Sequence, residues 1–330
     1  MTQCPACSET LPAENVFCEG CGQRLSDEVA NQETNEAAPA AKGCPKCGAG
    51  VDEQDEGGFC MQCGFRSGLR ERDHIEIELS PNFAGVTDRG LRHHRNEDYF
   101  ALECIDSRVA QVLIVCDGVS SSQDADRASK IATEAVRSSL SADLSNAEFD
   151  PAGALKSALR KAQEAVCAIP YTAREDFGPP STTIVSAVVV NRMATIGWAG
   201  DSRAYWIGSE GAKQLTADDS WLNSIVGSGE MSEEDALHSK QAHAITKWLG
   251  RDSDADFESS LIEVPLTGPG LLLLCTDGLW NFTPAAPDLA ALIAGEDGPV
   301  LAISRKLVEF AIERGGHDNI TAGIARFPED

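Results

Sequence analysis

Basic residues are scarce in this 330-residue chain, and long apolar runs are missing. Only 27 Lys and Arg stand against 52 Asp and Glu, a formal net charge of −25. That balance argues against wholesale binding to nucleic acid or to an anionic membrane. No stretch approaches the roughly 18 apolar residues needed to span a bilayer. The opening MTQCPACSET lacks the basic-then-apolar pattern of a secretory signal, so the expected compartment is the cytosol, with no membrane partner.

Cysteine, by contrast, is plentiful. Eight of the 12 lie in the first 63 residues: Cys4, Cys7, Cys18 and Cys21, then Cys44, Cys47, Cys60 and Cys63. Each group spells CxxC, a gap, then CxxC, the spacing at which two tight knuckles present four thiolates to a tetrahedral zinc. Disulfides and redox-active CxxC pairs are the alternatives, but disulfides are rare in the cytosol. Two structural Zn²⁺ are therefore expected. Cys104, Cys116, Cys167 and Cys275 are scattered in apolar surroundings and read as buried structural thiols. Neither Cys116 nor Cys275 has an adjacent His to activate it.

Composition divides the chain into a ribbon at 1–25, a flexible acidic linker at 26–41, a second ribbon at 42–66, a charged linker at 67–77 and one large domain at 78–330. In the large domain VAQVLIVC reads as a strand, and residues 124–140 carry Ala128, Ile131, Ala135 and Leu140 at helical spacing. Pro151 opens a second helix whose face holds Leu155, Leu159, Ala162 and Val166. TTIVSAVVV, ATIGWAG and RAYWIG follow as strands, with a hairpin turn at Asn191-Arg192. Two short helices are predicted within 218–240, strands near 258–264 and 271–276, a helix from Pro299 to Glu313 and a final strand at 320–326. Strands and helices arrive in batches, which predicts an α+β fold of antiparallel sheets with helices packed outside.

Two apolar runs end abruptly in Asp-Gly, VLIVCDG at 112–118 and LLLLCTDG at 271–278. Each delivers a carboxylate at the lip of a core, where a lone charge is costly unless a cation sits beside it. Further carboxylates end other elements: Glu97 and Asp98 in RNED, Asp201 in GDSR and Asp318 in GGHDNIT. Taken singly, each also fits a turn or a helix cap. Together they form an all-oxygen set that suits Mg²⁺ or Mn²⁺ rather than zinc.

The series GLRHHRNED, VCDGVSSS, STT, GDSRAYW, LTADDS, AITKWLG, CTDGLW and GGHDNITAGIARF resembles, in order and spacing, the motif ladder of the PP2C family of metal-dependent protein phosphatases, above all its bacterial serine/threonine members. The resemblance covers residues 80–327. It implies a central antiparallel β-sandwich flanked by helices on both sides, with a binuclear Mg²⁺ or Mn²⁺ centre and a possible third ion. Asp117 would bridge the two ions and Gly118 would lend its carbonyl. Asp277 and Asp318 would complete the shell of the first ion, Glu97 and Asp98 would serve the second directly or through water, and Asp201 with Asp277 would hold the third. Asn319 and Ser202 would brace these ligands. The family's phosphate-gripping Arg is replaced here by His93; Arg92 or Arg95 would supply the fork, with Arg92 favoured. Val119 occupies the place of a proton-donating His found in some relatives.

The implied reaction is hydrolysis of phosphoserine or phosphothreonine by a metal-bridging hydroxide, without a phosphoenzyme. The implied partners are phosphoproteins made by serine/threonine kinases. The alternatives are a pseudophosphatase that binds phosphoproteins without turnover and a zinc-ribbon adaptor. Residues 1–66 hold only Arg24, Lys42, Lys46 and Arg66 as cations, so a protein partner fits the ribbons better than DNA.

Overall fold

The computed structural model describes residues 2–3, 10–11, 73–105, 110–143, 149–174, 177–242, 244–253 and 257–329. The chain divides into two compact units, Met1–Ser67 and Gly68–Asp330. In the first, β1 (Thr2–Gln3) pairs antiparallel with β2 (Thr10–Leu11). The eight expected zinc ligands lie outside the described residues.

The second unit is a two-sheet sandwich. Its elements are β3 (His74–Ser80), β4 (Phe83–Asp88), β5 (Tyr99–Ile105), β6 (Ala110–Cys116), α1 (Ala125–Asp143), α2 (Pro151–Cys167), β7 (Ser181–Thr182), β8 (Ile184–Val190), β9 (Met193–Ala199), β10 (Arg203–Gly208) and β11 (Gly211–Gln214). After these come α3 (Trp221–Gly227), α4 (Glu233–Leu237), β12 (Leu249–Gly250), β13 (Ser260–Pro265), β14 (Gly270–Cys275), α5 (Asp277–Trp280), α6 (Ala286–Leu292), α7 (Val300–Glu313) and β15 (Ile320–Phe327). One sheet runs β11-β10-β14-β15-β4-β3, the other β13-β9-β8-β6-β5, and every pairing is antiparallel. Among the described residues no helix is long and apolar enough to cross a membrane.

Three apolar layers follow from the alternation of side chains along the strands. Between the sheets, Leu113, Val115, Val185 and Ile196 meet Phe83, Leu272 and Leu274. Outside the five-stranded sheet, α1 and α2 pack on Val112, Ile114 and Val188. Outside the six-stranded sheet, α7 packs Val300, Ile303 and Leu307 against Ala84, Val86 and Ile324. Asp150 caps α2 by accepting from Ala152 N and Gly153 N at 3.1 Å each, with Pro151 at the first turn.

The buried face of α2 is the one read from its spacing: Leu155, Leu159, Ala162 and Val166. On α1 the face is turned by one residue. Ala132 and Val136 are buried, while Ile131 and Ala135 pack only partly at its margin. The Asn191-Arg192 turn has φ of 50° and 62°, the left-handed pair a two-residue hairpin requires. Two readings need correction. His74–Ser80 is a strand of the six-stranded sheet, so the boundary expected at 78 falls inside it and residues 74–77 belong to the sheet rather than to a linker. Its alternating Ile75, Glu76, Ile77 and Glu78 belong to an edge strand with one wet face, a pattern that reads as charge alone. Cys104 is exposed rather than buried, because it lies near the end of edge strand β5, and Cys167 is half-buried at the end of α2. Cys116 and Cys275 are fully buried as expected.

Gly85 and Gly323 face each other across the β4/β15 pair. A Cβ on Gly85 would lie 2.6 Å from the Phe100 ring, and one on Gly323 would lie 2.6 Å from Leu113 Cδ1. Those side chains come from the opposite sheet, so the missing methyls set how closely the sheets approach. Gly323→Val is expected to cost about 1–3 kcal/mol by overpacking, seen as a lower urea midpoint. An unchanged midpoint would show that the sheets separate freely.

Candidate metal centre

All six carboxylates singled out from the sequence sit at strand ends along one rim of the sandwich. Glu97 and Asp98 precede β5, and Asp117 follows β6, both in the five-stranded sheet. Asp277 follows β14 and Asp318 precedes β15, both in the six-stranded sheet. Asp201 lies in the connection that passes from β9 in one sheet to β10 in the other. The rim therefore gathers acidic groups from both sheets.

Asp98 is the most enclosed, 3% exposed. Its Oδ2 accepts the hydroxyls of Thr276 at 2.9 Å and Thr321 at 2.6 Å. Thr321 N donates in turn to Thr276 Oγ1 at 3.0 Å, Thr87 and Thr321 share a hydroxyl bond at 2.7 Å, and Asn96 Nδ2 donates to Thr87 at 2.9 Å. This ladder fixes one oxygen of Asp98 and leaves the other, Oδ1, buried with no protein partner. Asp277 shows the same asymmetry: Asn281 Nδ2 donates to Oδ2 at 3.2 Å, while Oδ1 is buried and unpaired.

The surrounding loops are tied by backbone and amide bonds. The Asp117 carbonyl accepts Thr183 N and Thr182 Oγ1, each at 2.8 Å. Thr183 Oγ1 meets Ser202 Oγ at 2.8 Å, which joins the Asp117 and Asp201 segments. Asn319 is the central tie: its Oδ1 accepts Glu97 N at 2.7 Å, and its Nδ2 donates to the carbonyls of Arg89 at 2.8 Å and Arg95 at 3.1 Å. Gly118 N donates to the Glu97 carbonyl at 3.2 Å. A Cβ on Gly118 would stand 2.7 Å from the Ala125 carbonyl oxygen, so only glycine lets these segments meet.

Electrostatics reports the crowding. Burial, then the charges of Asp318 and Asp277, push the Asp98 carboxyl up to about 8 against the pull of its hydroxyl donors. Burial, followed by Asp277 and Asp218, pushes Asp201 to about 8. Burial and Asp318 raise Asp277 to about 6, opposed by its hydrogen bond with Asp117. Asp117 is driven well above the usual carboxylate range by burial, then by Asp98, Asp277, Asp318 and Asp201. Yet Asp117, Asp201 and Asp277 are partly open to solvent, as expected for groups lining a crevice.

Among the described residues no three acidic or thiol side chains already close as a finished ligand shell. What the rim offers is mutual repulsion, two orphaned carboxylate oxygens and an all-oxygen donor set. Hard divalent cations fit that combination. Held neutral, these carboxyls favour the metal-free fold below about pH 4, and that contribution is lost as pH rises through about 6 to 8, where they must ionise. The gap in melting temperature between protein with and without Mn²⁺ is therefore expected to widen from pH 5 to pH 8. A constant gap would mean the carboxylates do not meet the ion.

The cationic side chains divide less evenly. Arg95 Nη1 donates to Asp126 Oδ1 at 3.0 Å, and its Nε lies 3.7 Å from Glu97 Oε1. Arg92 is exposed and makes no ion pair among the described residues. His93 Nε2 lies 3.1 Å from Asp318 Oδ1. Sequence reading missed that contact, and it missed the threonine ladder of Thr87, Thr276 and Thr321. The only sequence signal for the ladder was a Thr beside Asp277 in CTDG and another beside Ile320 in DNIT. His238 is exposed, bonding the Glu234 carbonyl through Nδ1 at 2.7 Å, and His243 lies outside the described residues.

Comparison with known proteins gives two family matches, protein phosphatase 2C over residues 91–296 and double zinc ribbon over residues 4–64. A serine/threonine phosphatase, Stp, of Listeria innocua is 30% identical over 243 residues, covering 71% of this chain and 91% of that protein. The crystal structure of the serine/threonine phosphatase Stp1 from Staphylococcus aureus matches with a TM-score of 0.66 at 26% identity, covering 77% of this chain and 98% of that one. The catalytic domain of the phosphatase PstP, solved in complex with two manganese ions, shares the fold with a TM-score of 0.60 at 24% identity, covering 78% of this chain and 100% of that one.

Proposed function

The chain belongs to the protein phosphatase 2C family, and on that premise we propose how its own residues carry out the reaction. It is a metal-dependent protein serine/threonine phosphatase with a double zinc ribbon ahead of its catalytic domain. In our reading Asp117 and the Gly118 carbonyl would help hold two Mg²⁺ or Mn²⁺ ions. Asp277 and Asp318 would serve one ion, Glu97 and Asp98 the other, and Asp201 with Asp277 would offer a third, weaker position. When bound, such ions supply Lewis acidity toward a phosphoryl group and acidify water.

The protein's part is placement. Thr276 and Thr321 hold one oxygen of Asp98 and leave the other without a protein partner. Asn281 does the same for Asp277, and Asn319 locks the Glu97 segment to the start of β15. Arg92, exposed and without an ion pair among the described residues, is the side chain we assign to the substrate phosphate; Arg95 is already committed to Asp126 and Glu97. Val119 offers no proton to the leaving alkoxide.

The observation that carries this reading is the pair of buried, unpartnered oxygens, Asp98 Oδ1 and Asp277 Oδ1, at a rim crowded with carboxyls. Hydrolysis of a phosphothreonine peptide with Mn²⁺, measured for the wild type and for Asp277→Ala, tests it. The variant is expected to lose activity by at least about a hundredfold, and equal rates would overturn the assignment. The substrates we infer are phosphoproteins made by serine/threonine kinases. The ribbons, poor in cations and rich in thiolates, suit a protein partner in a reducing compartment such as the cytoplasm. Zinc analysis of the full chain and of residues 68–330 is expected to give two Zn²⁺ and none, respectively.

A further inference from the structure

The turn that carries Asp117 and Gly118 is also a wall of a second space. Gly118 bridges to Thr182, Val119 N donates to the Ser181 carbonyl at 3.0 Å, and Ser122 bridges to Gly178. Gly178 N donates to the Ser121 carbonyl at 3.0 Å and its own carbonyl accepts Gln123 N at 3.0 Å. These bonds weld the segment after β6 to the loop before β7. Against that weld lies an open cavity of about 870 Å³ whose lining includes Val119, Tyr171, Phe177, Pro179, Ile245 and Trp248.

Three aromatic rings at one cavity are unusual in a chain with 6% aromatic residues. Tyr171 is 36% exposed and Phe177 46%, so neither is held there by the core. Trp248 is fixed in place: its Nε1 donates to Asp252 Oδ1 at 3.0 Å, and Ser181 Oγ donates to the same oxygen at 3.2 Å. Arg251 lies over the Tyr171 ring at 5.5 Å. Arg174 and Ser121 also line the cavity, but Asp252 is already bonded by Trp248 and Ser181, and the exposed rings leave an apolar concavity suited to an apolar side chain.

Continuity with the carboxylate rim identifies the occupant. Val119 stands two residues from Asp117, a chain path of at most about 7 Å. An extended peptide with its phosphoryl group at Asp117 therefore reaches the cavity within about two or three residues. We propose that this cavity is a substrate subsite that selects phosphoproteins with a large apolar or aromatic residue flanking the phosphorylated Ser or Thr. The inference rests on the phosphatase reading above and adds the sequence context that reading leaves open.

The test uses the full chain with Mn²⁺ and a set of phosphothreonine peptides, Ala-based, in which Phe replaces Ala at each flanking position in turn. p-Nitrophenyl phosphate, too small to reach the cavity while reacting at the rim, is the control substrate. A Phe at one position within three of the phosphothreonine is expected to raise kcat/KM by about tenfold or more, mainly through KM. Phe177→Ala and Tyr171→Ala, both at exposed positions, are expected to erase that preference and leave p-nitrophenyl phosphate turnover unchanged. Equal kcat/KM for all peptides, or a preference that survives both substitutions, overturns the subsite. Loss of p-nitrophenyl phosphate hydrolysis in the unaltered protein would instead overturn the phosphatase reading on which it stands.

Discussion

Asp117→Asn is expected to cut turnover of a phosphothreonine peptide by about a thousandfold or more while raising the melting temperature of the metal-free protein. The two effects have one cause. Asp117 is surrounded by Asp98, Asp277, Asp318 and Asp201, and every one of them disfavours its charge. Divalent ions would reverse that cost, and on the proposed ligand set removing this carboxylate would remove the anchor that the two ions share. Lewis-acid stabilisation of a phosphoryl transition state is worth several kcal/mol, and about 4 kcal/mol corresponds to a thousandfold in rate. Without the ions, the amide relieves repulsion among the remaining groups and stabilises the fold. Peptide kinetics, Mn²⁺ calorimetry and thermal melting in the absence of divalent cations check the two directions separately. A variant that loses both activity and metal-free stability would show that Asp117 is a structural residue.

The second large effect is expected at Arg203. Its side chain is 11% exposed, as is that of Asp218. The guanidinium donates through Nε to Asp218 Oδ1 at 2.9 Å and through Nη2 to Oδ2 at 2.7 Å, a bidentate fork. Nη1 reaches the Tyr205 hydroxyl at 3.1 Å and the Pro284 carbonyl at 3.3 Å, and the group lies 3.6 Å over the Trp280 ring. Trp280 belongs to the helical turn that begins at Asp277, and its Nε1 donates to the Asp201 carbonyl at 2.9 Å. Arg203→Met strands Asp218 without its partner, and a broken buried pair typically costs about 3–5 kcal/mol. Urea unfolding measures the loss, which should fall near that range at unchanged m-value. Arg203→Lys keeps charge but not the fork or the stack, so it should recover only part. A loss below about 1 kcal/mol would mean that Asp218 finds water instead.

Asp117 and Asp277 were legible because each ends a buried apolar run, where a charge demands a partner, and Glu97, Asp98, Asp201 and Asp318 because they stand in short acidic motifs at the ends of other elements. Glu97, Asp98, Asp117, Asp201, Asp277 and Asp318 indeed line one rim. Helix α2 was legible for a similar reason, with four apolar residues at one spacing and an Asp-Pro start. Strands β3, β4 and β5 were not read. β3 alternates Ile with Glu, and β4, though buried, is the short FAGVTD with a glycine chosen for Phe100 of the facing sheet. The threonine ladder could not be read either. Thr87, Thr276 and Thr321 lie up to 234 residues apart and meet only through the β4/β15 pairing and the start of α5. The aromatic cavity beside Val119 has the same origin: Tyr171 and Phe177 come from the loop after α2 and Trp248 from the loop before β12, and the two loops carry no common pattern.

The rim also has a mechanical side. Asp98 and Asp117 extend from one sheet, Asp277 and Asp318 from the other, and Asp201 from the strand connection between them. Without cations, once pH rises high enough for these carboxyls to ionise, like charges would push the two sheets apart at that end, against the inter-sheet packing of Leu113, Phe100 and their neighbours. Cations would act there as rivets across the seam. Backbone amides near Thr276 and Ile320 should then exchange hydrogen faster than those at the far end of β14 and β15 in the metal-free protein, and become the slowest when Mn²⁺ is supplied.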